Sequence, residues 1–353
     1  MGKTLLKIAA LALLLAACGR AEIGAAKYGG DDCRRVSLID AATGAAVRGA
    51  EDFALDAENG RLFISAYDRR AVEKAARKKR ETLPQGGLYA VALADLFNPE
   101  TQALKAESLA SPADFAGGLH PHGLSFDAAN HELVFINRAY RRDGRKWTMT
   151  PHLRRIGANG EVYVGVAEAA HCAANDVAAD ADGVVTSFDH GSCGLGAGFE
   201  NVFGLKRSGV ARRGETLFDK ALFANGLAHR QNGDLVMAAT REDALLTLGD
   251  DFAETGRIAI PGGPDNLTIA DDGDIVAAAH PSLFKLMLTR KFGFGAAPSR
   301  IVKADPETGA VEILFDDPKG ALFSAATVAI ETENGLAAGS VTDEGLLVCQ
   351  AAS

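Results

Sequence analysis

A short sequence template recurs along this 353-residue chain, and it constrains the possible fold more than any other feature. The template is a polar residue in a short apolar stretch, then a turn, then an apolar strand. In its clearest copy, Asn225 and Gly226 are followed by the apolar run 235–239. The copies occupy residues 51–65, 121–136, 175–186, 223–240, 265–277 and 326–338. Self-similar units a few tens of residues apart are typical of solenoids and propellers.

The content of each unit narrows the choice between these two architectures. The units contain short strands and many turn residues, and no convincing long amphipathic helix interrupts them. That combination favours a propeller with one unit per blade. The sequence therefore predicts an all-β fold, a six-bladed β-propeller whose inner strands surround a central tunnel.

The first 17 residues are typical of a bacterial signal peptide. Lys3 and Lys7 form a basic start, and residues 8–15 form an apolar core that is too short to span a bilayer. The motif Leu-Ala-Ala-Cys at residues 15–18 has the pattern of a lipobox. The alternative is an ordinary signal peptide that is cut near Ala17.

The lipobox predicts that Cys18 carries lipid. We then expect a tether at residues 18–30 and the propeller domain at residues 31–353. The mature chain would be an exported lipoprotein, held on a lipid bilayer by its N-terminal anchor, in the periplasm or at the cell surface.

Charge and composition exclude other classes of protein. The formal net charge is −9, which argues against a nucleic-acid partner. Hydrophobic residues make up 47% of the chain, enough for a substantial core. No apolar run after residue 17 is long enough to cross a membrane.

Four cysteines follow Cys18, and an exported chain lives where disulfides persist. Cys33 and Cys349 lie near the two ends of the predicted domain, where the last blade of a closed ring meets the first. A bond between them would act as a clasp. Cys172 and Cys193 flank the third repeat and form a second candidate pair, with two free buried thiols as the alternative.

Two segments interrupt the repeats. Residues 69–80 are strongly basic and predict either a solvated loop or short helix, or a mobile cover over the pocket that touches anionic lipid. Residues 191–213 are glycine-rich at first and then compatible with a short amphipathic helix at 199–207. This second segment could roof a pocket, rest on a bilayer or be a packed connection.

The polar residue of the template occupies the same place in successive repeats, and these places converge on the axis of a propeller. The residues are Glu51, His122, Asn175, Asn225, and Asp265 with Asn266. Amide and carboxylate oxygens suit calcium, whereas zinc prefers nitrogen and sulfur ligands. Asp52 and Asp176 each follow a proposed ligand and could hold a second ion deeper in the tunnel.

These residues resemble the serum paraoxonase/arylesterase family, six-bladed propellers that hydrolyse lactones and aryl esters. The resemblance extends from about Cys33 to Cys349. Its motifs are Glu51-Asp52, Pro121-His122-Gly123-Leu124-Ser125, Asn175-Asp176-Val177, Phe223-Ala224-Asn225-Gly226, Asp265-Asn266-Leu267, His280-Pro281 and Leu347-Val348-Cys349. The broader gluconolactonase-like and strictosidine-synthase-like propellers share the repeats without this full ligand set.

The resemblance implies two calcium ions with different roles. The catalytic ion would be held by Glu51, Asn175, Asn225, Asp265 and Asn266. The structural ion would be held by Asp52, Asp176 and the backbone carbonyl of Leu124. His122 matches the histidine proposed in the family to activate water, and Asp265 is the alternative base.

The chain departs from the family at one position. A second histidine often supports the first, but here Ile136 and Asn137 are followed by Arg138, whose guanidinium cannot relay a proton. Other residues expected in the substrate pocket are Asp189, His190, Phe223, His280 and Arg138.

The predicted function is a calcium-dependent lactonase or arylesterase that acts on a small-molecule ester or lactone. Calcium would polarise the carbonyl and water would be the nucleophile. The Gly-x-Ser-x-Gly motif of serine hydrolases is missing from the sequence. The alternative is a non-catalytic propeller in which calcium is structural and the top face binds a partner.

Overall fold

The computed structural model describes residues 24–161, 168–180 and 183–351. The predicted signal peptide at 1–17 and the predicted lipidation site Cys18 lie outside these residues. The described chain is built mainly from β-strands, so the predicted all-β class is confirmed. In the described residues, no helix has both the length and the apolar character needed to cross a membrane.

The strands follow one another with short connections. The first nine are β1 (Cys33–Asp40), β2 (Ala50–Asp56), β3 (Arg61–Ala66), β4 (Gly87–Ala92), β5 (Ala103–Ser108), β6 (Pro121–Asp127), β7 (Glu132–Asp143), β8 (Lys146–Gly157) and β9 (Glu168–Ala169). The next eight are β10 (Ala174–Asp180), β11 (Gly183–Phe188), β12 (Ser208–Arg212), β13 (Glu215–Ala221), β14 (Ala224–His229), β15 (Leu235–Ala239), β16 (Ala244–Leu248) and β17 (Glu254–Ala259). The last seven are β18 (Gly263–Ile269), β19 (Ile275–His280), β20 (Ser299–Ala304), β21 (Val311–Asp317), β22 (Ala326–Thr332), β23 (Gly335–Ser340) and β24 (Leu346–Gln350).

The described strands form five sheets. Four sheets each contain four consecutive antiparallel strands: β6 to β9, β10 to β13, β14 to β17 and β18 to β21. The fifth has the order β2-β3-β4-β5-β1-β24-β23-β22. In it, β1 pairs in parallel with β5 and antiparallel with β24, so the beginning and the end of the chain share one sheet.

The first strands of successive groups are also neighbours in space. Strand β2 contacts β6, and contacts follow from β6 to β10, β10 to β14, β14 to β18, β18 to β22 and β22 back to β2. This cyclic order makes the β-rich fold propeller-like.

The apolar core lies between neighbouring sheets, and β15 shows why its sequence is a continuous apolar run. Leu235, Met237 and Ala239 pack toward Val185 and Val210 of the preceding sheet. The alternate residues Val236 and Ala238 pack toward Ile275 and Ala277 of the following sheet. Because successive side chains point to opposite faces and both faces are covered, every position in the strand is apolar and buried.

Four short α-helices occur among the described residues: α1 (Arg69–Arg77), α2 (Leu93–Leu96), α3 (Leu195–Phe203) and α4 (Leu283–Met287). Helix α1 lies within the basic segment 69–80. Asp68 caps it by accepting a hydrogen bond from the Ala71 amide, and Val72 is buried with Tyr67 and Leu83. A π-helical turn, Leu288–Phe292, follows α4 directly.

Helix α3 lies within the second interruption and begins four residues before the helix expected at 199–207. It ends where Gly204 adopts the left-handed conformation, with φ of 61°, which favours glycine at a helix C-terminus. The side chains of Leu195, Phe199, Val202 and Phe203 are exposed.

The chain is already fixed to a sheet within the segment expected to be a tether. The backbone amides of Lys27 and Tyr28 donate to the carbonyls of Ile313 and Leu314 in β21. The Tyr28 side chain is buried in the adjoining core cluster.

Both predicted disulfide pairings are confirmed. Cys33 is bonded to Cys349, directly across the β1–β24 ladder, and Cys172 is bonded to Cys193. Disulfides of this kind are typical of extracellular and periplasmic proteins.

We expect the Cys33–Cys349 bond to stabilise the fold more than the other disulfide, because it spans 316 residues rather than 21. In the chain-entropy model the longer loop contributes about 6 kcal/mol and the shorter one about 3 kcal/mol. Thermal unfolding of Cys33→Ser/Cys349→Ser and of the matched control Cys172→Ser/Cys193→Ser checks this. A larger loss of melting temperature in the control would contradict the clasp role.

Candidate active site

Each first strand carries a β-bulge where the recurring polar residue lies. In β2 the pairing register shifts between Ala50 and Asp52, and equivalent shifts occur in β6, β10, β14, β18 and β22. A bulge bends its strand and re-aims the side chain it contains. The residues within the shifts are Glu51, His122 with Gly123, Asn175 with Asp176, Asn225 with Gly226, Asp265 with Asn266, and Thr327.

The bulges deliver one polar side chain from each first strand to a single cavity of about 460 Å³. These side chains are Glu51, His122, Asn175, Asn225, Asp265 and Thr327. Asp189, His190, Phe223 and His280, all expected in the pocket, also line this cavity. The structure thus brings together residues that are up to 276 positions apart in the sequence.

Glu51 and His122 form a buried pair on the floor of the cavity, with His122 Nδ1 3.0 Å from Glu51 Oε2. Glu51 Oε1 lies 3.3 Å from Nη1 of Arg69. Burial opposes ionisation of Glu51, but His122 and Arg69 together hold its pKa well below the usual value. Glu51 is therefore a carboxylate at neutral pH.

His122 is neutral at the same pH. Burial, together with the nearby charge of Arg138, lowers the pKa of His122 to about 4. Its Nε2 atom is buried and has no hydrogen-bond partner among the described residues. His122 can therefore accept a proton from a molecule in the cavity.

Asp265 is more fully engaged than His122. Its Oδ1 accepts a short hydrogen bond from Nδ2 of Asn225, and its Oδ2 lies 2.8 Å from Nε2 of His280. Asn225 Nδ2 also reaches Oγ1 of Thr240 at 3.3 Å. These contacts orient the Asp265 carboxylate and occupy both of its oxygens.

Two buried carboxyl side chains, Asp52 and Asp176, form a second pair next to the cavity floor. The Leu124 amide donates to Oδ2 of Asp52 at 2.7 Å, and the Leu227 amide donates to Oδ2 of Asp176 at 2.6 Å. Burial and the neighbouring Asp176 raise the pKa of Asp52 well above its usual value, and burial raises that of Asp176 to about 7. Two buried like charges of this kind need a proton or a cation between them.

Gly123 makes this close approach possible. A Cβ atom at Gly123 would lie 2.3 Å from both Cα and Oδ1 of Asp176. Any larger residue would push β6 away from β10 and open the tunnel. The glycine of the Pro-His-Gly motif is therefore a packing requirement of the carboxylate pair.

The remaining predicted pocket residues lie to one side. His190 Nδ1 is 2.5 Å from Oδ1 of Asp189, and the His190 ring meets the Phe223 ring edge-on. Although burial opposes protonation, the Asp189 carboxylate raises the pKa of His190. Arg138 does not line the main cavity; its Nη1 donates to Oη of Tyr67 at 3.3 Å, and it borders a smaller neighbouring cavity.

Two observations are consistent with a calcium ion bound by the oxygens on the cavity floor. Oε2 of Glu51 is buried, and its one neighbouring donor atom among the described residues, Nδ1 of His122 at 3.0 Å, does not meet hydrogen-bond geometry. Burial raises the pKa of both Asp52 and Asp176, so the pair needs a proton or a cation. Within the same described residues, no three His, Cys, Asp or Glu side chains cluster as a metal site. The donor set consists largely of amide oxygens, which calcium accepts.

Sequence reasoning missed several residues that line the cavity. Thr327 occupies the template position of the sixth repeat, but threonine is not a typical metal ligand. Its Oγ1 donates to the backbone carbonyl of Glu51 at 2.9 Å. Thr240 directly follows β15, and Arg290 lies in the π-helical turn after α4. Neither residue holds the polar position of the sequence template, so the repeat pattern does not indicate that they line the cavity. Arg69 belongs to the basic segment 69–80, for which a loop or short helix and a mobile cover over the pocket were the two predicted alternatives; the segment forms α1.

Comparisons with known proteins concern the fold. No family model and no curated protein matches the sequence. A structure of unknown function from Bacteroides thetaiotaomicron covers 90% of this chain and 75% of its own, with 11% identity and a TM-score of 0.50. A gluconolactonase from Xanthomonas campestris aligns with 94% of this chain and 99% of its own, with 15% identity and a TM-score of 0.49. A putative gluconolactonase aligns with 92% of this chain and 94% of its own, with 14% identity and a TM-score of 0.46.

Proposed function

We propose that this chain is a six-bladed β-propeller that hydrolyses carboxylic esters, lactones foremost, with bound calcium. The blade count follows if β1 is assigned to the group β22 to β24, which divides the eight-stranded sheet into two groups of four. The cyclic contacts of the first strands support this division.

One observation carries the functional proposal: six bulges aim polar side chains into one cavity. A cavity of about 460 Å³ is within the usual size range for sites that bind small molecules. Its floor combines a neutral histidine, a carboxylate and several amides, which is the chemistry needed to activate water beside a polarised carbonyl.

Glu51, Asn175, Asn225, Asp265 and Asn266 would hold the catalytic calcium ion. Asp52, Asp176 and the Leu124 carbonyl would hold a structural one. Calcium bound on the floor supplies a positive charge that polarises an ester carbonyl. All of these ligands offer oxygen, which suits calcium, whereas zinc prefers nitrogen and sulfur ligands.

The residues of the chain supply the proton transfers. His122 accepts a proton at Nε2 from water as the water oxygen bonds to the acyl carbon. His122 then returns this proton to the alcohol oxygen as the ester bond breaks. Asp265 is the less suitable base, because both of its oxygens already have partners. Glu51 orients the imidazole from the side of Nδ1.

Hydrolysis of a panel of lactones and phenyl or 4-nitrophenyl esters tests the proposal. We expect the purified protein to hydrolyse some members of the panel. Glu51→Gln should lose activity by roughly 100-fold or more, because it removes the charge beside His122. The matched control is Glu58→Gln, an exposed position in the turn after β2, which should retain activity.

A wild-type protein that hydrolyses nothing on the panel would contradict the proposal. The non-catalytic propeller that binds a partner would then be the better account. Equal losses in Glu51→Gln and Glu58→Gln would show that the cavity floor is not the reacting site.

A further inference from the structure

The mouth of the cavity is cationic although the chain as a whole is acidic. Arg69 of α1, Arg241, and Arg290 with Lys291 of the π-helical turn all line the cavity. The carboxylates that line it lie on the first strands or on the loop after β11, toward the floor. Negative charge at the floor and positive charge at the mouth are therefore separated within one space.

Helix α1 and the π-helical turn, which carry most of these cations, meet beside the cavity. The Arg70 side chain lies so close to Gly293 that a Cβ there would be 2.9 Å from its Nη1. Glu73 of α1 is shared by three guanidinium groups: Arg69 at 3.4 Å, Arg77 at 3.6 Å and Arg290 at 3.7 Å. One carboxylate cannot balance three positive charges.

Arg290 has the weakest carboxylate contact of these three cations, because its one carboxylate neighbour among the described residues, Glu73, is shared with Arg69 and Arg77. Its distance of 3.7 Å to Glu73 is too long for a hydrogen bond, and the described residues offer it no other carboxylate contact. The charge of Arg69 and burial lower the pKa of Arg290 to about 10, so it stays protonated at neutral pH. Its side chain is only 22% exposed, so water screens this charge weakly.

Arg69 connects this excess charge to the reacting floor. It contacts Glu51 at 3.3 Å and Glu73 at 3.4 Å, so it spans from the floor to the mouth. An anion beside Arg290 would therefore lie in the same cavity as a carbonyl placed over Glu51 and His122. A guanidinium presents paired N–H donors that match the geometry of a carboxylate.

We propose that the substrate is an ester or lactone that carries a carboxylate, and that Arg290 binds this carboxylate at the cavity mouth with Arg69 beside it. The proposal rests on the hydrolase function proposed above and names its substrate class. One negative charge is the complement, because Arg69 contacts two carboxylates, whereas Arg290 has only the long contact with the shared Glu73.

A matched pair of esters tests this substrate class. The probes are 4-nitrophenyl hydrogen glutarate and 4-nitrophenyl pentanoate, which share a five-carbon acyl chain and differ in the terminal carboxylate. We expect the wild type to prefer the glutarate ester in kcat/KM. Arg290→Gln should reduce this preference by roughly 10- to 100-fold, mostly through KM. Arg290→Lys should retain part of it.

The control is Lys285→Gln, which makes the same charge change at an exposed site of α4 that does not line the cavity. It should leave the preference unchanged. Calorimetric titration of glutarate gives a second readout, with binding to wild type and to Lys285→Gln and at least tenfold weaker binding to Arg290→Gln.

The outcomes separate this inference from the proposed function. If both esters are hydrolysed without preference for glutarate, or if Arg290→Gln keeps the preference, the carboxylate site is refuted while the hydrolase stands. If neither ester is hydrolysed, the lactone panel tests the hydrolase and glutarate binding tests this inference: binding that depends on Arg290 supports the anion site, and no binding overturns it.

Discussion

His122→Gln is expected to lower turnover by roughly 10²- to 10⁴-fold, the usual contribution of a general base. Glutamine is of similar size and can still meet the Glu51 carboxylate, but it cannot accept and return a proton. The fold should survive, because the side chain lies at the cavity floor and not in an apolar cluster. Stopped-flow or steady-state hydrolysis of the best ester in the panel measures the loss.

The pH profile provides an independent check on the same residue. Burial and Arg138 lower the pKa of His122 to about 4, so the base is deprotonated throughout the neutral range. Activity should therefore stay level near neutral pH and fall only as the pH approaches that value. The matched control is His152→Gln in β8, outside the cavity, which should retain turnover. Turnover near the wild-type level in His122→Gln would move the role of the base to Asp265.

Much of the floor of the site was predictable from sequence because its residues share a position in a repeat. Glu51, Asn175 and Asn225 were recognised as equivalent, and the structure shows what makes them so: each lies in a bulge of a first strand. The closing disulfide was predictable for a related reason, since a ring joins its two ends. The equivalent positions within repeats, and the meeting of the first repeat with the last, can both be inferred from the repeated sequence.

The mouth of the site was not predictable in the same way. Arg69 lies at the start of α1, yet its side chain reaches Glu51 of β2. Arg290 depends on how the turn after α4 packs against α1. These contacts join segments outside the repeats, so no periodicity signals them. The end of α3 was also misplaced, because Gly204 ends the helix earlier than the apolar pattern indicates.

Removal of calcium is expected to abolish hydrolysis and to lower the melting temperature. An ion that binds only the folded state stabilises it by mass action. Without the ion, Asp52 and Asp176 would be a pair of buried carboxyl groups: burial raises the pKa of both, and the charge of Asp176 further raises that of Asp52. The rise in melting temperature that calcium produces should therefore be smaller in Asp176→Asn than in the wild type, since one carboxylate of the pair is gone.

The ligand set on the floor predicts a ranking of affinity. Asp265→Ala should weaken calcium binding more than Asn225→Ala, because a carboxylate balances ionic charge and an amide contributes only its dipole. The two positions are suited to this comparison, since their side chains contact each other. Equal losses would indicate that the ion lies elsewhere.

The most direct test of the calcium-dependent hydrolase is a single titration on purified protein, with metal content and ester hydrolysis measured together. We expect bound calcium in the active protein and complete loss of activity in excess chelator. Added calcium should restore activity, whereas added zinc should not, because the floor offers oxygen ligands. Full activity in excess chelator, from protein that contains no calcium, would contradict the account.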